Sequence, residues 1–176
     1  MIRTAAVATR ILSALIVIYG LGIGTSAASA QEKKYGVTVM EASAAPLATA
    51  KTYLWTASQP SPDKAVDALI VAAIDRELAA LGLTKVASGK SDLTVAYISQ
   101  RRTEVDLKAK AAPGGAPEYA VGTLVIDVRD AAGRTPLFRA RLDQPLDTAP
   151  ALAEATIQAA VKALFEKYPT RPAAGR

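Results

Sequence analysis

Hydrophobic and polar residues alternate along several short stretches of the chain, with the two-residue period of a β-strand that is buried on one face. The longest such stretch, residues 118–130 (EYAVGTLVIDVRD), is followed by a short turn and by a second alternating stretch at 137–143. This order predicts an antiparallel hairpin. The pattern predicts about five strands in all, at residues 35–41, 51–56, 92–101, 118–130 and 137–143.

Two other stretches repeat apolar residues every three or four positions, which is the spacing of one face of an α-helix. The first follows Ser61 and Pro62, a pair typical of a helix start, and stops at Gly82. The second covers residues 151–168, whereas residues 42–50 have little preference and predict a linker. We therefore predict an α+β fold, a two-layer sandwich in which both amphipathic helices cover one face of a mostly antiparallel sheet.

The first thirty residues have the pattern of a secretory signal peptide. Arg3 and Arg10 precede an apolar run at 11–23, and small residues lead to an expected cleavage after Ala30. This run is shorter than the ~20 residues that span a membrane, so we favour a cleaved leader over an uncleaved anchor. No Cys follows it, so we expect a periplasmic protein whose membrane association is peripheral at most. The expected organisation is a leader at 1–30, one domain at 31–169 and a disordered tail at 170–176.

The composition removes several classes of chemistry. The chain contains no Cys and no His, which excludes disulfides, thiolate nucleophiles, imidazole bases and the usual zinc ligands. The net charge of +5 falls to +3 without the leader, whose only charged residues are Arg3 and Arg10. Scattered basic residues and few aromatic ones argue against nucleic-acid binding. We expect no enzyme activity, no cofactor and no metal site; the remaining catalytic alternative is a hydrolase using Ser or Asp, such as Ser88–Ser91, beside a buried Lys.

Two aromatic residues and one basic pair are candidates for binding. Tyr53 and Trp55 are two positions apart, so they share one face of a strand and could border a ligand pocket. Aromatic residues at this spacing more often pack in a core. Arg101 and Arg102 could touch a lipid headgroup, but membrane anchoring usually takes four or more basic residues, and a solvated strand end is the simpler interpretation.

The predicted hairpin has a charged face. Asp127 and Arg129 alternate in its first strand, and Arg139 and Arg141 alternate in its second. Because Arg binds carboxylate and phosphate groups through two hydrogen bonds, these residues could form an anion-binding patch. Alternation alone also predicts a solvated sheet face with cross-strand ion pairs, which we favour.

Five short motifs along the chain resemble those of the domain of unknown function 4136, a family of exported bacterial proteins. They are Lys51–Trp55 (KTYLW), Ser91–Tyr97 (SDLTVAY), Tyr119 with Gly122–Asp127 (GTLVID), Leu137–Ala140 (LFRA) and Tyr168-Pro169. The resemblance covers residues 35–169. Phe138 and Ala140 stand where the family usually has Trp and Gly, and the lipid-carrying Cys of many members is missing. The resemblance implies a small α+β domain of the cell envelope and no defined activity.

Two hypotheses for function follow. The first is a non-catalytic envelope module that binds a protein or another envelope partner, which predicts an exposed sheet edge or an apolar groove. The second is a carrier or sensor of a small amphiphile, with Tyr53 and Trp55 beside a pocket between helix and sheet. Such a pocket needs a volume of ~300 Å³ or more and few polar groups.

Overall fold

The computed structural model describes residues 35–106, 115, 117–146 and 153–169. The predicted leader, most of the segment 107–116 and the predicted tail lie outside the described residues. The described part has an α+β architecture of six strands and three helices. The strands are β1 (Gly36–Ala42), β2 (Thr52–Trp55), β3 (Thr84–Lys85), β4 (Leu93–Val105), β5 (Glu118–Asp130) and β6 (Pro136–Pro145). The helices are α1 (Ala44–Thr49), α2 (Lys64–Ala80) and α3 (Ala153–Phe165).

The strands form one open mixed sheet in the order β1-β6-β5-β4-β2-β3. The four strands from β1 to β4 in this order pair antiparallel, and the β5–β6 hairpin is confirmed. However, β2 pairs parallel with both β3 and β4. Helix α2 follows β2 along the chain, and a helical crossover of this kind allows two strands to pair in parallel. The prediction of about five strands was therefore wrong by one strand, and one side of the sheet is parallel.

The segment predicted as a linker contains α1, so that prediction was wrong. This helix is only six residues long, and its Ser43 N-cap makes no side-chain capping hydrogen bond. Its Leu47 is buried in the hydrophobic core. A short helix of this kind depends on tertiary packing more than on its own propensity.

Helix α2 begins two residues later than the sequence pattern predicted. Asp63, not Ser61, is its N-cap, and the Asp63 carboxylate accepts hydrogen bonds from the backbone N–H groups of Ala65 and Val66 at 2.8 and 3.3 Å. The predicted end at Gly82 is confirmed: this residue has a φ of +83°, the left-handed conformation that glycine adopts without strain after a helix.

One face of the sheet and the two longer helices share a hydrophobic core. Val95, Val128 and Phe138 lie side by side across β4, β5 and β6, and all three are fully buried. The helices complete the cluster with Ile74, Leu78, Val161, Leu164 and Phe165. Alternation then directs the intervening side chains of these strands to the opposite face. In the described part of the chain, no helix is long and apolar enough to cross a membrane.

Candidate functional site

The charged face of the hairpin lies on the side of the sheet away from the core cluster. Arg129 donates two hydrogen bonds to Asp127 Oδ2, from Nε at 2.9 Å and from Nη2 at 2.8 Å. Arg139 lies opposite Asp127 in the β5–β6 register. Within the described residues, Asp127 Oδ1 and Arg139 Nε are buried without a hydrogen-bond partner. The ion pair of Asp127 therefore forms along its own strand, not across strands as we predicted.

A second ionic cluster centres on Asp143 of the same face. Its carboxylate accepts hydrogen bonds from Arg141 Nε at 2.6 Å, from Arg102 Nη1 at 2.8 Å and from Thr123 Oγ1 at 2.6 Å. The hydrogen bond from Arg141, aided by those from Thr123 and Arg102, lowers the pKa of Asp143 well below its usual range despite partial burial. Arg102 also pairs with Glu104 at 2.9 Å. The charge of Arg129 and Arg141 is thus matched by carboxylates within the sheet.

Tyr53 and Trp55 meet at a carboxylate on α2. The Tyr53 hydroxyl donates to Asp75 Oδ1 at 2.7 Å, and Trp55 Nε1 donates to the same oxygen at 2.8 Å. Lys85 Nζ of β3 donates to Asp75 Oδ2 at 2.9 Å. Burial by itself raises the pKa of Asp75, but the three hydrogen bonds outweigh it and lower the pKa below its usual value. Asp75 thus joins α2 to β2 and β3.

These contacts place the two aromatic side chains in the packing of the domain. Tyr53 is 2% exposed and belongs to the core cluster. Trp55 is half-buried and meets the ring of Tyr97 edge-on at 5.9 Å between centroids. Neither residue borders the cavity between the helices and the sheet. Tyr53 and Trp55 therefore do not line this cavity, and the Asp75 hydrogen bonds hold them against α2.

The cavity lies on the sheet face that packs against the helices, beyond the row of buried residues formed by Val95, Val128 and Phe138. It has a volume of about 340 Å³. The first turns of α2 and the early part of α3 form one side, and the middle of β4 and β5 with the last part of β6 forms the other. The cavity could not be predicted from the sequence, because its lining residues come from five segments that are far apart along the chain.

Apolar groups form most of the cavity wall, and a smaller part of it is polar. The largest apolar contributors are Val66, Ile70, Leu124, Leu142, Leu146 and Ile157. Gly122 supplies the space for one of them: a Cβ atom at this position would lie 2.7 Å from Leu146 Cδ2. In the sequence, Gly122 of the GTLVID motif could have indicated this contact, because a glycine inside a strand often marks a place where another group lies close to the backbone.

Of the charged residues that the structure describes, Asp63 and Arg101 border the cavity. Arg101 and Arg102 are neighbours in β4, so their side chains point to opposite faces of the sheet. Arg102 joins the Asp143 cluster, whereas Arg101 is exposed at the cavity and forms no ion pair with any described residue. The pair that we considered as a headgroup contact is therefore divided between two environments.

The described residues offer little support for the hydrolase alternative. It requires a buried Lys beside a nucleophile, but every lysine in this part of the chain is exposed. In Ser88–Ser91, the Ser91 hydroxyl donates to the backbone carbonyl of Leu93 at 2.7 Å. The exposed lysines are Lys51, Lys64, Lys85, Lys90, Lys162 and Lys167. Within the described ranges, no group of three acidic side chains is placed to hold a metal ion.

Fold and site together define a small α+β domain with an open mixed sheet and an apolar cavity beside its helices. Residues 37–170 match the family described as a domain of unknown function, DUF4136. The chain belongs to this family, as its motifs predicted. No curated protein sequence matches the chain.

Several solved structures are similar to this chain. The PelC dodecamer from Paraburkholderia phytofirmans is 9% identical, with a TM-score of 0.52 over 77% of this chain and 98% of that one. A minor lipoprotein from Acinetobacter baumannii is 11% identical, with a TM-score of 0.41 over 66% and 91%. The uncharacterized lipoprotein B from Nitrosomonas europaea is 16% identical, with a TM-score of 0.42 over 67% and 81%. At 9% identity, the similarity to PelC shows a shared fold only.

Proposed function

We propose that this protein is a non-catalytic component of the bacterial envelope that binds a small amphiphile between its helices and its sheet. The cavity of about 340 Å³ carries this proposal. Its position is the one that the carrier hypothesis required, although its lining residues differ from those we expected. The envelope location rests on the leader-like sequence of residues 1–30.

The cavity has the size and the chemistry of a ligand site. Small-molecule sites typically have volumes of about 300–1,000 Å³, with mostly apolar walls and a few polar groups that fix orientation. The cavity is partly open to solvent, so a ligand could enter it. The cavity lies apart from the Asp75 hydrogen bonds, and the ionic clusters are on the other sheet face, although Thr123 of the Asp143 cluster also borders the cavity. A ligand there would leave those structural contacts intact.

A neutral fluorescent probe tests the proposal. N-phenyl-1-naphthylamine fluoresces strongly in apolar surroundings, and we expect it to bind the purified protein at one site per chain. Ala160 borders the cavity, whereas its neighbour Ala159 is exposed on α3. We expect Ala160→Phe to fill the space and abolish binding, and Ala159→Phe, the matched control, to retain it.

Stability must be compared for both variants, because overpacking a buried position costs about 1–3 kcal/mol. Ser99→Leu provides a second variant, since Ser99 borders the same cavity from β4. Equal probe binding by the wild type, Ala160→Phe and Ser99→Leu would refute the cavity as the site. No binding of the probe or of any displacing amphiphile by the folded wild type would refute the function.

A second function, partner binding, is favoured by the edge strand β1. Among the described strands, β1 is at one edge of the sheet, and it exposes Val39 and Met40 by 42% and 54%. Open edges of this kind can accept an added strand from a partner. We propose in-cell photocrosslinking from position 39, with position 76 on α2 as the control. A discrete adduct from position 39 alone is expected, and equal labelling from both positions would contradict partner binding at β1.

A further inference from the structure

Arg101 borders the cavity and forms no ion pair with any described residue, and this indicates the chemistry of the ligand. We infer that the amphiphile carries an anionic head, a carboxylate or a phosphate, on a single alkyl chain, and that Arg101 binds this head. The inference rests on the proposed function, because it specifies the ligand of the same cavity.

Arg101 lies on the face of β4 that packs against the helices. Along β4, the side chains that face the helices continue from Tyr97 through Ser99 to Arg101, and the last two border the cavity. Arg101 lies opposite Gly122, the residue whose missing side chain leaves room for Leu146. Arg101 is thus an exposed residue on the border of an apolar space. A ligand whose chain enters that space would place its head beside Arg101.

Three of the other described arginines form ion pairs, whereas Arg76, Arg134 and Arg139 form none but lie outside the cavity lining. Arg129 pairs with Asp127, Arg141 with Asp143, and Arg102 with both Asp143 and Glu104. Arg101 has no such ion pair with any described residue and keeps its donors for solvent or a ligand. A guanidinium holds carboxylate and phosphate groups through two parallel hydrogen bonds.

The second charged residue at the cavity, Asp63, already has a structural role. Its Oδ1 accepts from the backbone N–H groups of Ala65 and Val66 and caps α2. Cap carboxylates also balance the partial positive charge of a helix N-terminus. This role makes Asp63 a poor partner for a cationic head. The volume of about 340 Å³ lies near the lower limit for ligand sites, which favours one alkyl chain over several.

Displacement of N-phenyl-1-naphthylamine by four twelve-carbon amphiphiles tests the inference. The probes are dodecanoate, dodecyl phosphate and dodecyltrimethylammonium, each below its critical micelle concentration, and dodecanol below its solubility limit. We expect the two anions to displace the dye at concentrations about fivefold lower than dodecanol does. This factor corresponds to about 1 kcal/mol, the upper end of what an exposed ion pair contributes. This preference should shrink as salt is added, because exposed charges are screened. Whichever anion is stronger identifies the head as a carboxylate or a phosphate.

Two charge-matched variants locate the preference. Arg101→Gln should remove the advantage of the anions and leave dodecanol binding unchanged. Arg76→Gln removes the same charge from an exposed position on α2, outside the cavity, and should keep the advantage. Equal displacement by the anions and dodecanol, or a preference for the cation, would overturn the anionic head while leaving the amphiphile site standing. Failure of all four to displace the dye, or of the dye to bind, would instead overturn the proposed function, and this inference with it.

Discussion

Removing the Asp75 carboxylate should separate the structural role of Tyr53 and Trp55 from any role in binding. Asp75→Ala leaves the Tyr53 hydroxyl, which lies in a residue only 2% exposed, without its acceptor. It also removes the acceptor of the half-buried Trp55 indole and the partner of Lys85. The variant therefore tests three contacts between α2 and the parallel side of the sheet.

The burial of each group determines how much its lost contact lowers the free energy of unfolding. A buried polar group left without a partner costs about 1–3 kcal/mol, and the value for Trp55 should be smaller because it is half-buried. The Lys85–Asp75 ion pair is largely solvated, with side chains 48% and 28% exposed, so it should contribute at most about 1 kcal/mol. We expect Asp75→Ala to lower the free energy of unfolding by about 2–4 kcal/mol. Lys85→Ala should cost less than about 1 kcal/mol.

Urea unfolding followed by far-UV circular dichroism measures these losses. The fluorescence of Trp55, the single tryptophan of the chain, reports the same transition locally. Asp75→Asn is the matched control: its amide oxygen can still accept from Tyr53 and Trp55, so it should cost less than Asp75→Ala. Equal losses for Lys85→Ala and Asp75→Ala would refute this reasoning, because they would mean that the solvated ion pair, not the buried hydrogen bonds, holds α2 to the sheet.

Three further predictions concern the core, the ionic face and one turn. Phe138→Ala should lower the free energy of unfolding by about 3–5 kcal/mol, measured by urea titration, because the ring is fully buried; a loss below 1 kcal/mol would contradict the packing. Asp143→Asn should destabilise the protein at neutral pH, and the difference should fade as the pH drops below about 4. A carboxylate with a lowered folded-state pKa stabilises above its unfolded pKa and loses this effect on protonation; a pH-independent difference would contradict it. Gly82→Ala should cost about 1–2 kcal/mol in thermal unfolding, since φ is +83° there, and an unchanged melting temperature would argue against the left-handed helix end.

The elements with long regular patterns could be predicted from the sequence, and the short ones could not. Strand β5 spans 118–130 as its alternation predicted, and α2 ends at Gly82 because glycine adopts the left-handed conformation there. Strand β3 has two residues, too few to show a period, and α1 has six. Both depend on tertiary contacts that no local pattern contains.

Strand direction and site assembly needed the structure for a different reason. The alternation of β2 is the same whether it pairs parallel or antiparallel, although α2 directly after it was a usable sign of a parallel crossover. The charged face was predicted from alternation, but not the pairing of Arg129 with Asp127 along one strand. The pairing of Tyr53 and Trp55 with Asp75 required α2 to lie beside β2. Arg101 could be recognised only once the neighbouring Arg102 was seen on the other face.

Native mass spectrometry of the protein gently extracted from its own envelope fraction tests amphiphile binding most directly. We expect the folded chain to carry an added mass of a single-chain amphiphile that is lost on denaturation. Ala159→Phe should keep this added mass, and Ala160→Phe should lose it. A folded wild-type protein at its bare mass, under conditions that preserve known lipid complexes, would contradict amphiphile binding in the cavity.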